Sequence, residues 1–332
     1  MSTTPSTGRT IGGLAVGLSL LLSVMLLCFG LPAINSEPRD VPLAIVGDEA
    51  TVGALESTLD AAQGGAFDVM AVTDAAAAEQ SIRDREVYGA LIPGSDGLTV
   101  DVASAASPTV AAALTAMGQA VAAQAGVEVT VNDVVPTSED DPKGVGLSAG
   151  ALPIALGGFM AGVATTLVIR GTRQRLVTMA TFGVVAGLAM TAILEFAFGT
   201  LTGNFWASAA AATLGIVATG MTVLGLESLL GKPGIAIGAV LVVLLGNPLS
   251  GLTSAPELLP RPWGTIGQLL PPGATGTLLR NVAFFDGAAI AQPLMVLCSW
   301  LAIGVVLLWL SAWLSARRLA ASTVDATGAS VA

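Results

Sequence analysis

The feature that most constrains this chain is the order of its segments: an apolar stretch, an acidic polar block, and then a much longer apolar region. The first stretch covers Ile11 to Ile34, the polar block covers residues 36–146, and residues 147–316 carry few charges. A helix that crosses a membrane needs about 20 apolar residues in a row, because each residue rises ~1.5 Å across ~30 Å of hydrocarbon. This order predicts a membrane protein with a water-exposed domain inserted after its first helix.

Composition supports a location mainly in lipid. Only 11% of the residues are charged and 53% are hydrophobic, whereas a soluble domain carries about 25% charged residues. Lipid offers no hydrogen-bond partners to the backbone, so the apolar runs are expected to be helical. We predict a membrane α-helical bundle of six transmembrane helices. The six uncharged runs are Thr10–Ser36, Gly144–Ile169, Leu176–Leu194, Phe196–Leu226, Pro233–Pro256 and Gly287–Ala316.

Basic residues in the short loops indicate the orientation. Such residues mark the cytoplasmic side of a membrane protein, and with six spans all the basic clusters fall on one side. These clusters are Arg9, Arg170 to Arg175, Lys232, and Arg317 with Arg318. We therefore predict a multi-pass protein of the cell membrane with both termini cytoplasmic. The predicted parts are 1–35 (N-terminus and an uncleaved first helix), 36–146 (extracytoplasmic domain), 147–316 (five-helix membrane domain) and 317–332 (cytoplasmic tail).

The polar block has the pattern of a mixed α/β domain. It contains 18 acidic and four basic residues, a local charge of −14 in a chain whose net charge is −10. This balance argues against nucleic acid as a partner. Short β-branched runs alternate with Ala-rich helical runs. The predicted strands are Val41–Gly47, Phe67–Val72, Tyr88–Ile92, Leu98–Ala103 and Val127–Val135.

Residues that could carry catalysis are scarce. The chain has no histidine, which removes the commonest general base and metal ligand. Its two cysteines, Cys28 and Cys298, lie inside apolar runs, and no carboxylate pair has a catalytic spacing. We therefore expect no enzyme activity, no metal site and no cofactor. Glu195 and Glu227 are the carboxylates near membrane spans, where each is either a proton or cation site or a side chain that reaches the interface.

The segment 247–286 is the most distinctive part of the membrane region. It is too apolar for an ordinary loop and too rich in proline for a span, so we interpret it as a re-entrant or interfacial helix pair. Irregular backbone at membrane depth lies against protein or a water-filled cavity. The segment is therefore the predicted substrate path or gate, the alternative being an amphipathic cap on the bundle. The predicted gate residues are Asn247, Pro248, Trp263, Leu270, Pro271, Arg280 and Phe285.

Four stretches of the chain resemble a known family. They are Val41–Gly47, Asp84–Pro93 (DREVYGALIP), Asn247 to Ser250 (NPLS) and Leu269 to Pro272 (LLPP). With the order of spans, they resemble the permeases of type-two ABC exporters, most closely the phage-infection-protein (Pip/YhgE-like) membrane proteins. The resemblance implies export of a hydrophobic or lipid-linked compound by a homodimer or heterodimer with a possible separate ATPase subunit. The chain has no Gly-x-x-x-x-Gly-Lys-Ser/Thr motif, so it is not expected to hydrolyse ATP itself.

Three functions remain open from the sequence. The leading hypothesis is a permease in the lipid bilayer whose bundle forms half of a transport path. The second is a non-transporting membrane protein whose outer domain binds a partner in the cell envelope. The third is half of a proton-driven exporter, which shares the same order of helices and outer domain.

Overall fold

The order of helices and strands follows the sequence pattern closely. The computed structural model describes residues 7–95 and 97–329, so residues 1–6 of the predicted N-terminus and 330–332 of the predicted tail lie outside it. The helices are α1 Thr7–Ile34, α2 Glu49–Gln63, α3 Ala75–Arg83, α4 Pro108–Ala125, α5 Val145–Val168, α6 Thr172–Ala192, α7 Phe205–Leu230, α8 Lys232–Ala239, α9 Trp263–Gln268, α10 Pro271–Phe284 and α11 Ala291–Ala329. The strands are β1 Val41–Val46, β2 Phe67–Val72, β3 Gly89–Gly94, β4 Gly97–Val102 and β5 Val129–Asp133.

The five strands form one mixed sheet in the order β2-β1-β3-β4-β5. Strand β1 pairs in parallel with β2 and β3, β4 pairs in parallel with β5, and β3 and β4 form an antiparallel hairpin. Parallel neighbours need a crossover connection, which α2, α3 and α4 supply. All five predicted strands are present, with ends that differ by up to about two residues.

The helices of this sheet domain begin at polar N-cap residues. Asp48, Asp74 and Ser107 accept hydrogen bonds from the backbone N–H groups three residues further on, at 2.9, 2.8 and 3.2 Å. Each bond satisfies an N–H group that has no partner inside the helix. These caps fix where the crossovers start.

Helix α7 is the centre of the membrane bundle. It packs against α5, α6, α10 and α11, and glycines let α5 approach it closely. A Cβ atom at Gly158 would lie 2.7 Å from the carbonyl oxygen of Ile216, and one at Gly162 would lie 2.7 Å from that of Gly220. Small residues at such contacts allow helix backbones to pack tightly in a membrane.

The fifth predicted span, Pro233–Pro256, is not confirmed as a full-length helix. Within the described residues, five helices are long and apolar enough to cross a membrane. The fifth run instead contains α8 and a π-helical continuation, Val240–Gly246, which together make 15 residues from Lys232 to Gly246. At ~1.5 Å per residue this helix is about 22 Å long, short of the ~30 Å of hydrocarbon. The run was uncharged throughout, but its helix ends at Gly246 and the chain turns at Pro248.

Two other span boundaries also differ from the sequence prediction. The third span continues from α6 into the π-helical segment Ile193–Ala197, and the fourth begins at Phe205 instead of Phe196. A bend at Gly199, where φ is +63°, separates them. Helix α11 continues to Ala329, which is well inside the predicted tail.

Candidate functional site

The segment 247–286 lies between the membrane bundle and the sheet domain. Its longer helix, α10, packs against α5, α7 and α11, and most of its side chains are buried. The indole N–H of Trp300 on α11 donates to the carbonyl oxygen of Leu269 at 2.8 Å, just before α10 begins. Helix α10 is therefore an interior element of the bundle and not an amphipathic cap on its surface.

A hydrogen-bonded chain holds the parts of this segment together. The side chain of Gln268 donates to the carbonyl oxygen of Ser250 at 2.7 Å and accepts from the Thr277 hydroxyl at 2.6 Å. The hydroxyl of Ser250 in turn donates to the carbonyl oxygen of Asn247 at 2.7 Å. These bonds tie the turn after the short helix to α9 and α10.

The middle of the segment is docked on the sheet domain. Ala255 and Leu258 are buried in the same apolar core as the strands. The Ser107 hydroxyl donates to the carbonyl oxygen of Ser254 at 2.6 Å. The backbone N–H of Arg39 donates to the carbonyl oxygen of Glu257 at 3.1 Å. One stretch of backbone thus joins α4, the linker after α1 and the membrane helices.

Tyr88 and Glu257 form the central polar contact of this docking. The phenol of Tyr88, which directly precedes β3, donates to a carboxylate oxygen of Glu257 at 2.7 Å. Burial, followed by the negative charge of Glu257, raises the pKa of Tyr88 well above its usual range. The phenol therefore keeps its proton and stays a hydrogen-bond donor at physiological pH.

Arg85 lies directly beside this contact. Its guanidinium stacks 4.8 Å from the ring centre of Phe285 and 5.4 Å from that of Tyr88. Phe285 is only 5% exposed and belongs to the core of the sheet domain. In the described part of the chain, the buried Nε of Arg85 has no hydrogen-bond partner. Two aromatic rings thus position the guanidinium, and its buried Nε is not used in a hydrogen bond to the described residues.

A second arginine beside this contact, Arg280 on α10, is buried, whereas Arg85 is half-buried. Arg280 is 5% exposed and donates to the carbonyl oxygen of Leu252 at 3.2 Å. Burial first, and the positive charge of Arg85 second, lower the pKa of Arg280 to about 10, while Tyr88 and Glu257 oppose this shift. Arg280 therefore remains charged at neutral pH inside a site that lacks a full counter-charge.

These groups surround a polar cavity of about 400 Å³, which we call the arginine cavity. Its lining includes four arginines and two carboxylates, an excess of two positive charges. Arg261 is ion-paired with Asp40, and Arg39 with Glu37. No carboxylate of the described residues lies within ion-pair distance of Arg85 or Arg280. The charged lining residues are Arg39, Arg85, Arg261, Arg280, Asp40 and Glu257.

An apolar pocket of about 450 Å³ lies next to the arginine cavity, and we call it the apolar groove. It is formed between the end of α1 and the short helix Lys232–Gly246, with Trp263 at one side. Arg39 lines both the groove and the cavity. The other lining residues are mainly aliphatic: Leu27, Leu31, Pro32, Leu244, Leu245, Leu249 and Pro260.

The two carboxylates predicted near the membrane have different surroundings. Glu195 lies in the π-helical segment, and its buried Oε2 has no hydrogen-bond partner among the described residues. Glu227 is half-buried and lies 3.8 Å from the guanidinium of Arg175. Helix α6 runs antiparallel to α7 and brings Arg175 to this position, which spacing along the sequence does not reveal.

The predicted gate residues separate into three groups. Arg280 lines the arginine cavity and Trp263 lines the apolar groove. Phe285 packs in the core of the sheet domain. The remaining four do not join them: Asn247 and Pro248 form the turn after the short helix, and Leu270 and Pro271 start α10 in the buried interior. A role as a gate stays a prediction for all seven.

Sequence reasoning missed most of the cavity lining. Arg39, Asp40, Tyr88, Glu257 and Arg261 come from three separate regions of the chain, and no spacing rule connects them. The available signal was that basic residues are rare in the polar block. Only four occur there, and two of them, Arg39 and Arg85, line the cavity.

Comparison with known proteins identifies the family. The model of the ABC-2 family transporter proteins matches residues 14–313, which include the first helix, the sheet domain and the junction. The chain belongs to the ABC-2 transporter family. Proteins of this family are membrane components of transporters, so the resemblance to type-two ABC exporter permeases is confirmed at this level. No curated protein and no solved structure matches the chain.

Proposed function

We propose that this ABC-2 family protein is the permease half of a dimeric exporter for a hydrophobic or lipid-linked compound. The family match over residues 14–313 supports a permease. The chain carries no phosphate-binding motif for ATP, so a separate ATPase subunit supplies the energy. Within the family, phage-infection-protein membrane proteins remain the proposed closest relatives.

The observation that carries this proposal is the double attachment of the segment 247–286. Helix α10 is packed inside the bundle, while Ala255, Leu258 and Phe285 are packed in the sheet domain. A rearrangement of α5, α7 or α11 that displaces α10 must therefore pull on the sheet domain. Such coupling is what a permease needs if its outer domain is to open or receive substrate as the bundle changes state.

The proposed orientation follows from connectivity and charge. Arg175, Glu227 and Ser228 meet at one end of the bundle, whereas Ser254 contacts Ser107 of the sheet domain at the other. The chain between Ser228 and Ser254 must therefore traverse the bundle, although its helix is short. With the basic loops in the cytoplasm, both termini are cytoplasmic and the domain 36–146 lies outside.

Reconstitution tests this proposal. The full chain is placed in liposomes with and without the ATPase subunit that copurifies with it from its host, and movement of a lipophilic dye is followed. We expect ATP-dependent transport only when both subunits are present. Absence of transport with both subunits present, together with capture of an envelope ligand by the outer domain, would support the binding function instead.

A proton-coupled exporter is the second candidate, and Glu195 is the observation that favours it. A half-buried carboxylate with an unpartnered oxygen near the end of a span is a common feature of proton sites. Its π-helical backbone is of a kind often found at functional positions. Transport driven by a proton gradient without ATP, and lost in Glu195→Gln, would select this function.

A further inference from the structure

The arginine cavity collects basic residues from a region that otherwise avoids them. Two of the four basic residues in the block 36–146 line it, and so do both basic residues of the segment 247–286. The surrounding block has a net charge of −14. Placing like charges side by side is unfavourable, most of all for the buried Arg280, unless an opposite charge joins them. The cavity is therefore a positively charged site within an acidic domain, and a bound anion would reduce the repulsion among its arginines.

Two of these arginines have N–H donors to spare. Glu37 and Asp40 already pair with Arg39 and Arg261. Arg85 instead stacks on two rings with its Nε unpartnered among the described residues, and Arg280 has one bond, to the carbonyl oxygen of Leu252. A guanidinium carries five N–H donors in a planar fork that matches carboxylate, phosphate or sulfate oxygens. The spare donors of Arg85 and Arg280 therefore suit an oxyanion.

The adjacent apolar groove suits an apolar group better than an anion over most of its walls. Aliphatic side chains from α1 and from the short helix Lys232–Gly246 form most of its walls. Helix α1 is long and apolar enough to cross a membrane, and the second helix is apolar but shorter. Many side chains of α1 are exposed, such as Leu22 at 67% and Leu26 at 74%. A groove of this kind takes a hydrocarbon chain.

Arg39 connects the two spaces. It lines both of them, and its guanidinium is held by the carbonyl oxygens of Asn35 and Leu258 at 3.2 and 3.3 Å. A molecule that occupies both spaces would contact Arg39 at the point where its charged part meets its apolar part. We propose that the arginine cavity and the apolar groove together bind one amphiphile, with its anionic head group in the cavity and its hydrocarbon tail in the groove. This inference rests on the proposed export function and names the class of its substrate.

A binding measurement tests the head-group half of the proposal. The full chain in phosphatidylcholine nanodiscs is titrated calorimetrically with dioctanoyl phosphatidate, dioctanoylglycerol and inorganic phosphate. We expect phosphatidate to bind at least about tenfold more tightly than either of the other two, because only it fills both spaces. Equal binding of dioctanoylglycerol, or binding of inorganic phosphate as tight as that of phosphatidate, would overturn the proposal.

Matched variants assign the site. Arg85→Gln is expected to weaken phosphatidate binding about tenfold or more. Arg83→Gln removes an exposed arginine of α3 that pairs with Glu79 and does not line the cavity, so its binding should equal that of the unaltered chain. If Arg85→Gln does not fold, Arg39→Gln serves in its place, with the same expected loss. Unchanged binding in a folded cavity variant contradicts the assignment.

A second pair of variants tests whether the hydrocarbon tail lies in the apolar groove. Leu31→Asn places an amide in the apolar groove, whereas Leu26→Asn places the same amide at a position of α1 that does not line the groove. We expect Leu31→Asn to weaken phosphatidate binding about fivefold or more, and Leu26→Asn to leave it unchanged. Equal effects of the two substitutions would show that the tail lies elsewhere.

These outcomes separate the inference from the proposed function. Phosphatidate binding that depends on Arg85, in a protein that transports nothing, would support the site and reject the export function. ATP-dependent transport that is equal in Arg85→Gln and Arg83→Gln would support export and reject the site.

Discussion

The arginines at the two ends of the bundle differ in how many of their N–H donors are already hydrogen-bonded. At the end away from the sheet domain, Arg175 donates to the carbonyl oxygens of Ile169 and Thr166 and to the hydroxyl of Ser228, and it lies 3.8 Å from a carboxylate oxygen of Glu227. At the junction, Arg85 and Arg280 line a cavity and have few partners. The hydrogen bonds of Arg175 link α6 to α7, whereas Arg85 and Arg280 are available to a ligand. Burial of an arginine alone therefore does not reveal its role; the number of its donors already in use does.

The largest expected effect is where the segment 247–286 joins the sheet domain to the membrane bundle. Apolar packing, and not charge, holds the sheet domain and the bundle together there. Phe285→Ala removes a ring that is 5% exposed from the core of the sheet domain. We expect it to lower the free energy of unfolding by about 4 kcal/mol, as for other buried phenylalanines. Thermal unfolding of the purified chain in detergent measures this. Phe196→Ala, at a ring that is 74% exposed, is the control and should change stability by less than about 0.5 kcal/mol.

The next largest effect is expected at Arg175, at the end of the bundle away from the sheet domain. Arg175→Ala removes three hydrogen bonds and leaves the half-buried Glu227 without its counter-charge. We expect a loss of about 3 kcal/mol in stability. Arg173→Ala changes an exposed arginine of the same helix and is expected to have little effect. Equal stability of these two variants would mean that the bonds of Arg175 do not hold this end together.

A smaller effect is expected at the polar contact of the junction. Tyr88→Phe removes the donor to Glu257 and should cost about 1 kcal/mol. Because burial raises the pKa of Tyr88, the folded chain keeps the phenol proton above pH ~10, where the unfolded chain loses it. Stability from this group is thus complete below pH ~10 and is lost as the pH rises further. Tyr88→Phe should lack this loss, and urea unfolding of both chains at pH 8 and pH 10.5 would show the difference.

The smallest effect is expected at Arg280. Arg280→Met removes a buried charge and one hydrogen bond, to the carbonyl oxygen of Leu252, and retains most of the side-chain volume. Replacing an incompletely paired charge by an apolar group is often neutral, so stability should change by less than about 1 kcal/mol. The same unfolding measurement applies. A loss as large as that of Arg175→Ala would remove the distinction between the two ends and assign Arg280 a structural role.

The sequence predicted those parts of the fold that depend on local patterns. Short β-branched runs predicted the five strands, and the Ala-rich runs between them predicted helices. The fifth span is not confirmed at its full predicted length, because hydropathy measures composition and not helix length. The run Pro233–Pro256 is uncharged, but its helix ends at Gly246, after which the chain turns into the junction.

The site was less predictable, because its residues meet only in the folded chain. Arg280 and Trp263 were identified from their unusual segment, and the structure places them in the arginine cavity and the apolar groove. Arg39 and Arg85 lie in a block whose overall charge is strongly negative, so composition concealed them. The partner of Glu227 was missed because the two residues are far apart in the sequence. Arg175 lies 52 residues earlier but becomes adjacent when α6 packs against α7.

The difference between the two ends has a functional meaning only if they face opposite sides of the membrane. Membrane-impermeant maleimide labelling of intact cells measures this directly, in a chain whose Cys28 and Cys298 are replaced by serine. Glu56→Cys reports on the sheet domain, where this side chain is exposed, and Arg173→Cys reports on the other end. We expect Glu56→Cys to be labelled in intact cells and Arg173→Cys only after the cells are opened. Labelling of both positions from the same side would contradict the proposed orientation and the export function built on it.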